Sequence, residues 1–328
     1  MSFKIFVASR SFGEYSDSTK KYLKENDCIL SWNELGRPYK EEEMLNIIHK
    51  YDGIIVGVDT ITKGVIKRGI NLKVIAKNGV GVDNIDLEAA SEAGIFVVNA
   101  PGTNSHSVAD LAIALMLNLC RKISIIDQMT KRGLWQRRTG RELWQKTVGI
   151  IGTGEIGKGV VKRLKGFNCK ILAYDVHIDK KFAKDYDVSY IQLIEVLKNA
   201  DIISLHVPLN KHTKYLIDTK ELNMMKKTAF LINTSRGGIV NEESLYNALK
   251  NNIIEGAASD VFSEEPPGNS PLFSLENFIA TSHIGAYTYE TNERTGMTVA
   301  RNIVQGLKGK KPENLVNKSL IKKNFTNS

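Results

Sequence analysis

The chain has 328 residues, enough for two domains at about 150 residues each. Hydrophobic residues make up 42% and charged residues 25%, with 26 Gly and 7 Pro, a globular balance that excludes disorder and collagen-like repetition. Lysine and arginine outnumber acids 45 to 36, a formal +9 that either attracts anions or simply solvates the surface; with no basic-aromatic interleaving beside it, no nucleic-acid partner is expected.

The longest clean apolar run, residues 111–117, stops at Asn118 and falls far short of the ~20 residues a bilayer demands, so no membrane partner is expected. Cys28, Cys120 and Cys169 are odd in number and widely spaced, which excludes a disulfide framework or a metal cluster and points to a reducing compartment. The first nine residues run straight into a strand-like stretch without the pattern of a signal peptide, so a cytoplasmic location is expected.

Along the chain, residues 4–8, 53–58, 72–76 and 95–99 read as buried strands, with helices at 41–49 and 86–93 between them. Such alternation predicts a parallel sheet covered by helices. After the punctuation Pro101-Gly102-Thr103-Asn104, a long helical pattern runs from Ser105 towards Gly133. A second alternating series follows, with six strands at 147–151, 170–174, 202–206, 229–233, 255–259 and 277–281. Helices fit at 156–165, 192–199, 241–250 and 289–307. This is a complete doubly wound unit. A Lys/Asn-rich tail holding Lys308, Lys310, Lys311, Lys318, Lys322 and Lys323 is expected to fray.

Gly152, Gly154 and Gly157 form G-x-G-x-x-G between a strand and a helix. The first glycine permits the tight turn, the second lets backbone approach a pyrophosphate, and the third lets helix pack on strand. The helix N-terminus offers free N–H groups to phosphates. Asp175 closes the next strand eighteen residues past Gly157, where an acid accepts from ribose hydroxyls and repels a 2′-phosphate. NAD is therefore the expected cofactor.

Later strands end in His206-Val207-Pro208, Thr234-Ser235-Arg236-Gly237, Asp260 with Glu265, and Ser282-His283. Singly, Arg236 could be a surface cation, Glu265 a loop acid and His283 a capped histidine. Together, an arginine to clamp a carboxylate, a histidine to move a proton and an acid to orient it make a kit for hydride transfer to or from a 2-hydroxy acid.

At this point the chain resembles the D-isomer-specific 2-hydroxyacid dehydrogenases, and within them the phosphoglycerate dehydrogenases. The resemblance rests on residues 78–86, 100–110, the glycine turn, 233–240, 259–267 and 281–286. It implies an α/β protein of two doubly wound parallel-sheet domains. A Rossmann-type NAD domain (102–284) is inserted into a flavodoxin-like substrate domain (1–101 and 285–328), with the active site in the cleft. It also implies a homodimer joined through the NAD domain around residues 105–144, with Trp135 and Trp144 suited to that interface. It gives His283 as acid/base, Glu265 as its partner and Arg236 as binder of the substrate carboxylate and carbonyl. The backbone of Asn78, Gly79, Val80 and Gly81 would face substrate. Glu155 and Ile156 would meet the pyrophosphate, and Val207, Thr234, Ser235, Asp260, Gly285 and Ala286 would line the nicotinamide side.

Departures from the phosphoglycerate dehydrogenase pattern bear on substrate. Asp59 stands near the usual position of a phosphate-holding arginine and would repel phosphate, Lys77 replaces an arginine, and Ser282 replaces a proline. Arg137, Arg138 and Arg141 could supply anion contacts instead. The expected reaction is hydride transfer between the nicotinamide and C2 of a D-2-hydroxy acid, with 3-phosphoglycerate/3-phosphohydroxypyruvate as the expected pair; reduction of glyoxylate, hydroxypyruvate or another 2-oxo acid is the alternative, and an NAD(H)-sensing corepressor-like binding protein a third reading. The resemblance gives no regulatory domain, and no S-adenosylhomocysteine hydrolase pattern is present.

Overall fold

The computed structural model describes residues 2–318. Lys322 and Lys323 of the basic tail lie outside the described residues. The chain divides into two compact units: Met1–Asn104 with the return from Tyr287 onward, and the continuous segment Ser105–Ala286.

The first unit runs β1 (Phe3–Val7), α1 (Asp17–Glu25), β2 (Cys28–Trp32), α2 (Glu41–Leu45), β3 (Gly53–Val56), α3 (Lys63–Arg68), β4 (Val74–Lys77), α4 (Leu87–Glu92) and β5 (Phe96–Val98). Its five strands are all parallel, in the order β2-β1-β3-β4-β5. Strand alternation decides the layers. Ile5, Val7, Ile55, Val74 and Ala76 share one core, while Phe6, Ile54, Val56 and Ile75 join Met44, Val65, Ile66 and Ala89 in another. The expected helix over 41–49 is shorter than predicted: it stops at Leu45, and a separate helical turn covers Ile48–Lys50.

The second unit contains α5 (Ser105–Arg121), α6 (Ile123–Lys131), β6 (Thr147–Ile151), α7 (Glu155–Leu164), β7 (Lys170–Tyr174), α8 (Lys180–Tyr186), β8 (Val188–Tyr190), α9 (Leu193–Asn199), β9 (Ile202–Leu205), α10 (Thr219–Met224), β10 (Phe230–Asn233), α11 (Glu242–Lys250), β11 (Gly256–Ser259) and β12 (Phe278–Ala280). The chain then returns to the first unit as α12 (Tyr289–Leu307), whose Val299, Ala300, Ile303 and Leu307 pack on the Ile5–Val7 face. Two expectations are corrected. The sheet has seven strands rather than six, because the short β8 extends its edge. The long helix is broken at Lys122, whose left-handed φ of 55° ends α5 and starts α6.

This sheet is also parallel, in the order β12-β11-β10-β9-β6-β7-β8. The order reverses between β6 and β9, so the carboxyl ends of these two strands flank the crevice where doubly wound sheets take ligands. Gly149 of β6 faces α9 because a Cβ there would lie 2.5 Å from a Val196 methyl.

Candidate active site

The glycine turn follows β6, and each glycine has its own reason. Gly152 adopts a φ of +95°, and a Cβ on it would meet the His206 carbonyl oxygen at 2.6 Å and a Val207 methyl at 2.9 Å. A Cβ on Gly157 would stand 2.0 Å from the Gly152 carbonyl oxygen, so only glycine lets α7 close on the turn. At Gly154 a Cβ would meet nothing within 4 Å. The protein itself leaves that space open, which is the approach a pyrophosphate requires. Gly154 is the N-cap of α7 and has no side chain to offer the first-turn amides of Glu155 and Ile156.

Asp175, just past β7, is locked to this turn. Its Oδ2 accepts from the Thr153 amide at 2.5 Å and the Thr153 hydroxyl at 3.0 Å, and its Oδ1 accepts from the His177 amide at 2.9 Å. Tyr190 donates to the Thr153 hydroxyl at 3.0 Å. Partial burial raises the Asp175 pKa, but the bonds from His177 and Thr153 outweigh it and hold the carboxyl below the ordinary range. One lone pair of Oδ1 is left over for a further donor such as a ribose hydroxyl.

Two buried polar atoms beside this crevice have no protein partner among the described residues: Thr234 Oγ1 after β10 and His206 Nδ1 after β9. Burial holds the His206 imidazole down at about 3, hence neutral, with Nε2 2.9 Å from the Ser204 hydroxyl. Orphaned atoms of this kind suit a polar ligand, so the residues present fit a bound dinucleotide.

Asn233 ends β10 and shapes the next turn: its Oδ1 accepts from the Ser235 amide at 3.1 Å and its Nδ2 donates to the Arg236 carbonyl at 2.9 Å. The Ser235 hydroxyl donates to the Leu205 carbonyl. Arg236 Nη1 donates to the Ser235 carbonyl at 2.7 Å. Gly237 packs directly on the loop after β11, where a Cβ would fall 1.9 Å from the Phe262 carbonyl carbon. That contact joins the Arg236 turn to the loop bearing Glu265.

Glu265 Oε1 accepts from the Phe262 amide at 3.0 Å, and Oε2 lies 2.6 Å from His283 Nδ1. Burial raises the Glu265 pKa, but the hydrogen bonds from His283 and the Phe262 amide, with the positive charge of Arg236 nearby, bring it below the ordinary range. The pair lines a cavity of about 610 Å³ together with Phe262, Phe273 and Ile284. Asp260, 1% exposed, anchors the histidine loop. Its Oδ1 accepts from the Thr281 hydroxyl at 2.5 Å and the Ile284 amide at 2.8 Å, and its Oδ2 from the Gly285 amide at 2.9 Å. Ala286 closes this unit.

Thus Arg236, Asp260, Glu265 and His283 come together through Gly237 and the Asp260 bonds, and Gly152, Gly154, Gly157, Val207 and Asp175 through the glycine turn. Sequence reasoning missed Thr153 and Tyr190, which steady Asp175, and Asn233, which shapes the Arg236 turn. A threonine inside the glycine turn and an asparagine at a strand end were the signals.

In the first unit, Asn78, Gly79, Val80 and Gly81 follow β4. The Asn78 amide donates to Val56 O at 2.8 Å, Gly79 takes a φ of +153°, its carbonyl accepts from Ala100 N at 2.9 Å, and Val80 O accepts from Asn99 Nδ2 at 2.7 Å. Asp59 is 2% exposed, and its carboxylate is turned onto the Tyr39 amide (2.9 Å) and the Gly57 amide (3.2 Å). Lys77 Nζ donates to the Gly57 carbonyl and to Asn84 Oδ1 at 3.0 Å. Both charges thus have structural duties in the Gly57 turn.

Comparison with known proteins places this geometry. The family model for the NAD-binding domain of D-isomer specific 2-hydroxyacid dehydrogenases matches residues 113–285. D-3-phosphoglycerate dehydrogenase of Methanocaldococcus jannaschii is 46% identical over 84% of this chain and 54% of its own, so this chain spans about half that relative's length. Glyoxylate reductase of Thermococcus litoralis is 40% identical over 85% of this chain and 87% of its own. A Thermus thermophilus protein of known crystal structure superposes with a TM-score of 0.88 at 33% identity, covering 95% of this chain and 99% of that one. The chain belongs to the D-isomer specific 2-hydroxyacid dehydrogenase family, and its second unit carries that family's NAD-binding domain.

Proposed function

We propose that the protein moves hydride between a nicotinamide and C2 of a small D-2-hydroxy acid. The observation that carries this reading is the 2.6 Å His283–Glu265 pair, on the same sheet as the glycine turn. Bound NAD supplies the hydride acceptor in oxidation and, reduced, the donor in the reverse direction. With Nδ1 held by Glu265, His283 has Nε2 left for the substrate. Nε2 takes the hydroxyl proton as hydride leaves C2, and returns it to the developing alkoxide in reduction. The ionised Glu265 stabilises the imidazolium and fixes the ring. Arg236 binds the carboxylate and the C2 oxygen, so that charge developing there is met by a fixed cation.

For the cofactor, we assign Gly152, Gly154, Glu155, Ile156 and Gly157 to the pyrophosphate and Asp175 to the adenosine ribose. Val207, Thr234, Ser235, Asp260, Gly285 and Ala286 are assigned to the nicotinamide side; Asp260 Oδ2, with one donor, has room for a carboxamide N–H. The main chain of Asn78, Gly79, Val80 and Gly81 is assigned to substrate.

Two substrate readings stand. The M. jannaschii relative supports 3-phosphoglycerate and hence a place in serine formation. The T. litoralis relative, of similar length to this chain, supports a small unphosphorylated 2-oxo acid, and the commitment of Lys77 to Gly57 and Asn84 favours it. We take the second as the reading the site supports better. NADH oxidation against 3-phosphohydroxypyruvate, hydroxypyruvate, glyoxylate and pyruvate separates them. NADH binding without any turnover would instead favour a binding protein.

We further propose a homodimer through the NAD unit, since Ile123, Leu134, Trp135 and Trp144 are exposed along residues 105–144 and Trp135 is 85% exposed. Among the described residues no helix is long and apolar enough to cross a membrane. A cytoplasmic location fits the free, buried Cys28, Cys120 and Cys169.

A further inference from the structure

The glycine turn holds Asp175 through a side chain that G-x-G-x-x-G leaves unspecified. That residue, Thr153, is 5% exposed, and its hydroxyl is bonded beyond the end of β7 instead of facing the open space at Gly154. Three groups stand in line. Tyr190, the last residue of β8, donates to Thr153 Oγ1 at 3.0 Å, and Thr153 Oγ1 donates to Asp175 Oδ2 at 3.0 Å. A threonine hydroxyl has one proton, so with Tyr190 donating to the oxygen that proton is aimed at Asp175. The Thr153 amide donates to the same Oδ2 at 2.5 Å.

Oδ2 is thereby filled, and the accepting capacity that remains lies on Oδ1, which takes the His177 amide. The neighbouring chain is fastened as well. The Ile191 amide donates to the Ala173 carbonyl at 2.9 Å, which keeps Tyr190 beside β7. At the far end of the loop after β7, Asp179 accepts from the Phe182 amide at 2.9 Å and from Lys158 Nζ of α7 at 2.7 Å. Residues 175–179 are tied to the glycine turn at one end and to α7 at the other. The Asp175 carboxylate cannot swing without breaking these bonds.

We propose that Thr153 and Tyr190 are positioning residues for cofactor selection. By filling Oδ2 they fix the carboxylate with Oδ1 outward, where it accepts a ribose hydroxyl and meets a 2′-phosphate with an immobile negative charge. A carboxylate free to rotate would turn from the phosphate into solvent, and the discrimination would weaken. This rests on the assignment of Asp175 to the adenosine ribose above, and carries it to the two groups behind the acid.

The test measures Kd for NADH and for NADPH by fluorescence titration in the wild type, Thr153→Val, Thr153→Ser, Tyr190→Phe and Asp175→Asn. The wild type is expected to prefer NADH. That preference should fall about tenfold in Thr153→Val, which loses a hydrogen bond to a charged group, and about two- to threefold in Tyr190→Phe, which loses the neutral bond behind it. Thr153→Ser keeps the hydroxyl and should restore the wild-type ratio. A residue serving stability alone would weaken both cofactors together and leave the ratio unmoved. A ratio unmoved in Thr153→Val and Tyr190→Phe, while Asp175→Asn shifts it, overturns the proposal and leaves Asp175 at the ribose. Equal affinity for both cofactors in the wild type, or a ratio unmoved in Asp175→Asn, sinks the ribose assignment and the proposal with it. Should Thr153→Val not fold, Tyr190→Phe alone decides, since it removes one hydroxyl from a half-buried ring.

Discussion

The carbonyl of Asp260 accepts the His283 amide at 2.9 Å, while its carboxylate gathers the hydroxyl of Thr281 and the amides of Ile284 and Gly285. One buried acid therefore holds the histidine loop from both sides. It also sustains the left-handed φ of 56° at His283, a conformation that costs a non-glycine residue about 1 kcal/mol.

Asp260→Asn tests that hold. An amide has one accepting oxygen, so one of the three donors must face an NH2 group. The expected loss is about 1–3 kcal/mol of stability with a drop of about 10- to 100-fold in kcat, from displacement of His283. Urea unfolding and steady-state kinetics measure both.

Gly237→Ala places a methyl inside the Phe262–Ser263 peptide. Backbone cannot yield as a flexible side chain can, so the change should cost more than about 4 kcal/mol. Thermal unfolding should show a large fall, and the little folded protein left should bind NADH better than it turns over, since the Arg236 and Glu265 loops meet here.

Lys122→Gly removes the left-handed strain at the break between α5 and α6 and should stabilise by about 1 kcal/mol. A raised unfolding midpoint with unaltered activity is expected. A continuous helix in solution would instead make glycine destabilising by a similar amount.

Asp175 and Asp201 both have carboxyls below the ordinary range. Burial opposes the shift in each, and bonds from His177 and Thr153, or from Lys226 and Thr147, overcome it. A lowered folded-state pKa gives stability that is present above the unfolded value of about 4 and is lost as pH falls through the folded value. Unfolding free energy should therefore be steady near neutrality and decline below about pH 4, and Asp201→Asn should flatten that decline.

The apolar strands of both sheets were legible because buried parallel strands read as continuous β-branched runs. The edges were not. β2, Cys-Ile-Leu-Ser-Trp, is half exposed, and β8 has only Val-Ser-Tyr, so neither carries an unbroken apolar signal. α3 spans six residues, too few to display helical periodicity, and no glycine or proline marks the break at Lys122. In the site, the glycine turn and the polar strand ends stood out by residue type and position. The duties of Asp59 did not: they depend on the Tyr39 amide, twenty residues away in sequence, so a carboxylate that reads as repulsive to phosphate is in fact a buried backbone acceptor.

The most direct test of the central claim is single-turnover oxidation of NADH by the wild type and His283→Ala, with the 2-oxo acid that the wild type reduces best. Loss of about 100- to 10,000-fold in the chemical step, with NADH affinity retained, is the predicted result. Near-normal turnover in His283→Ala would contradict the assignment of the proton transfer to the His283–Glu265 pair.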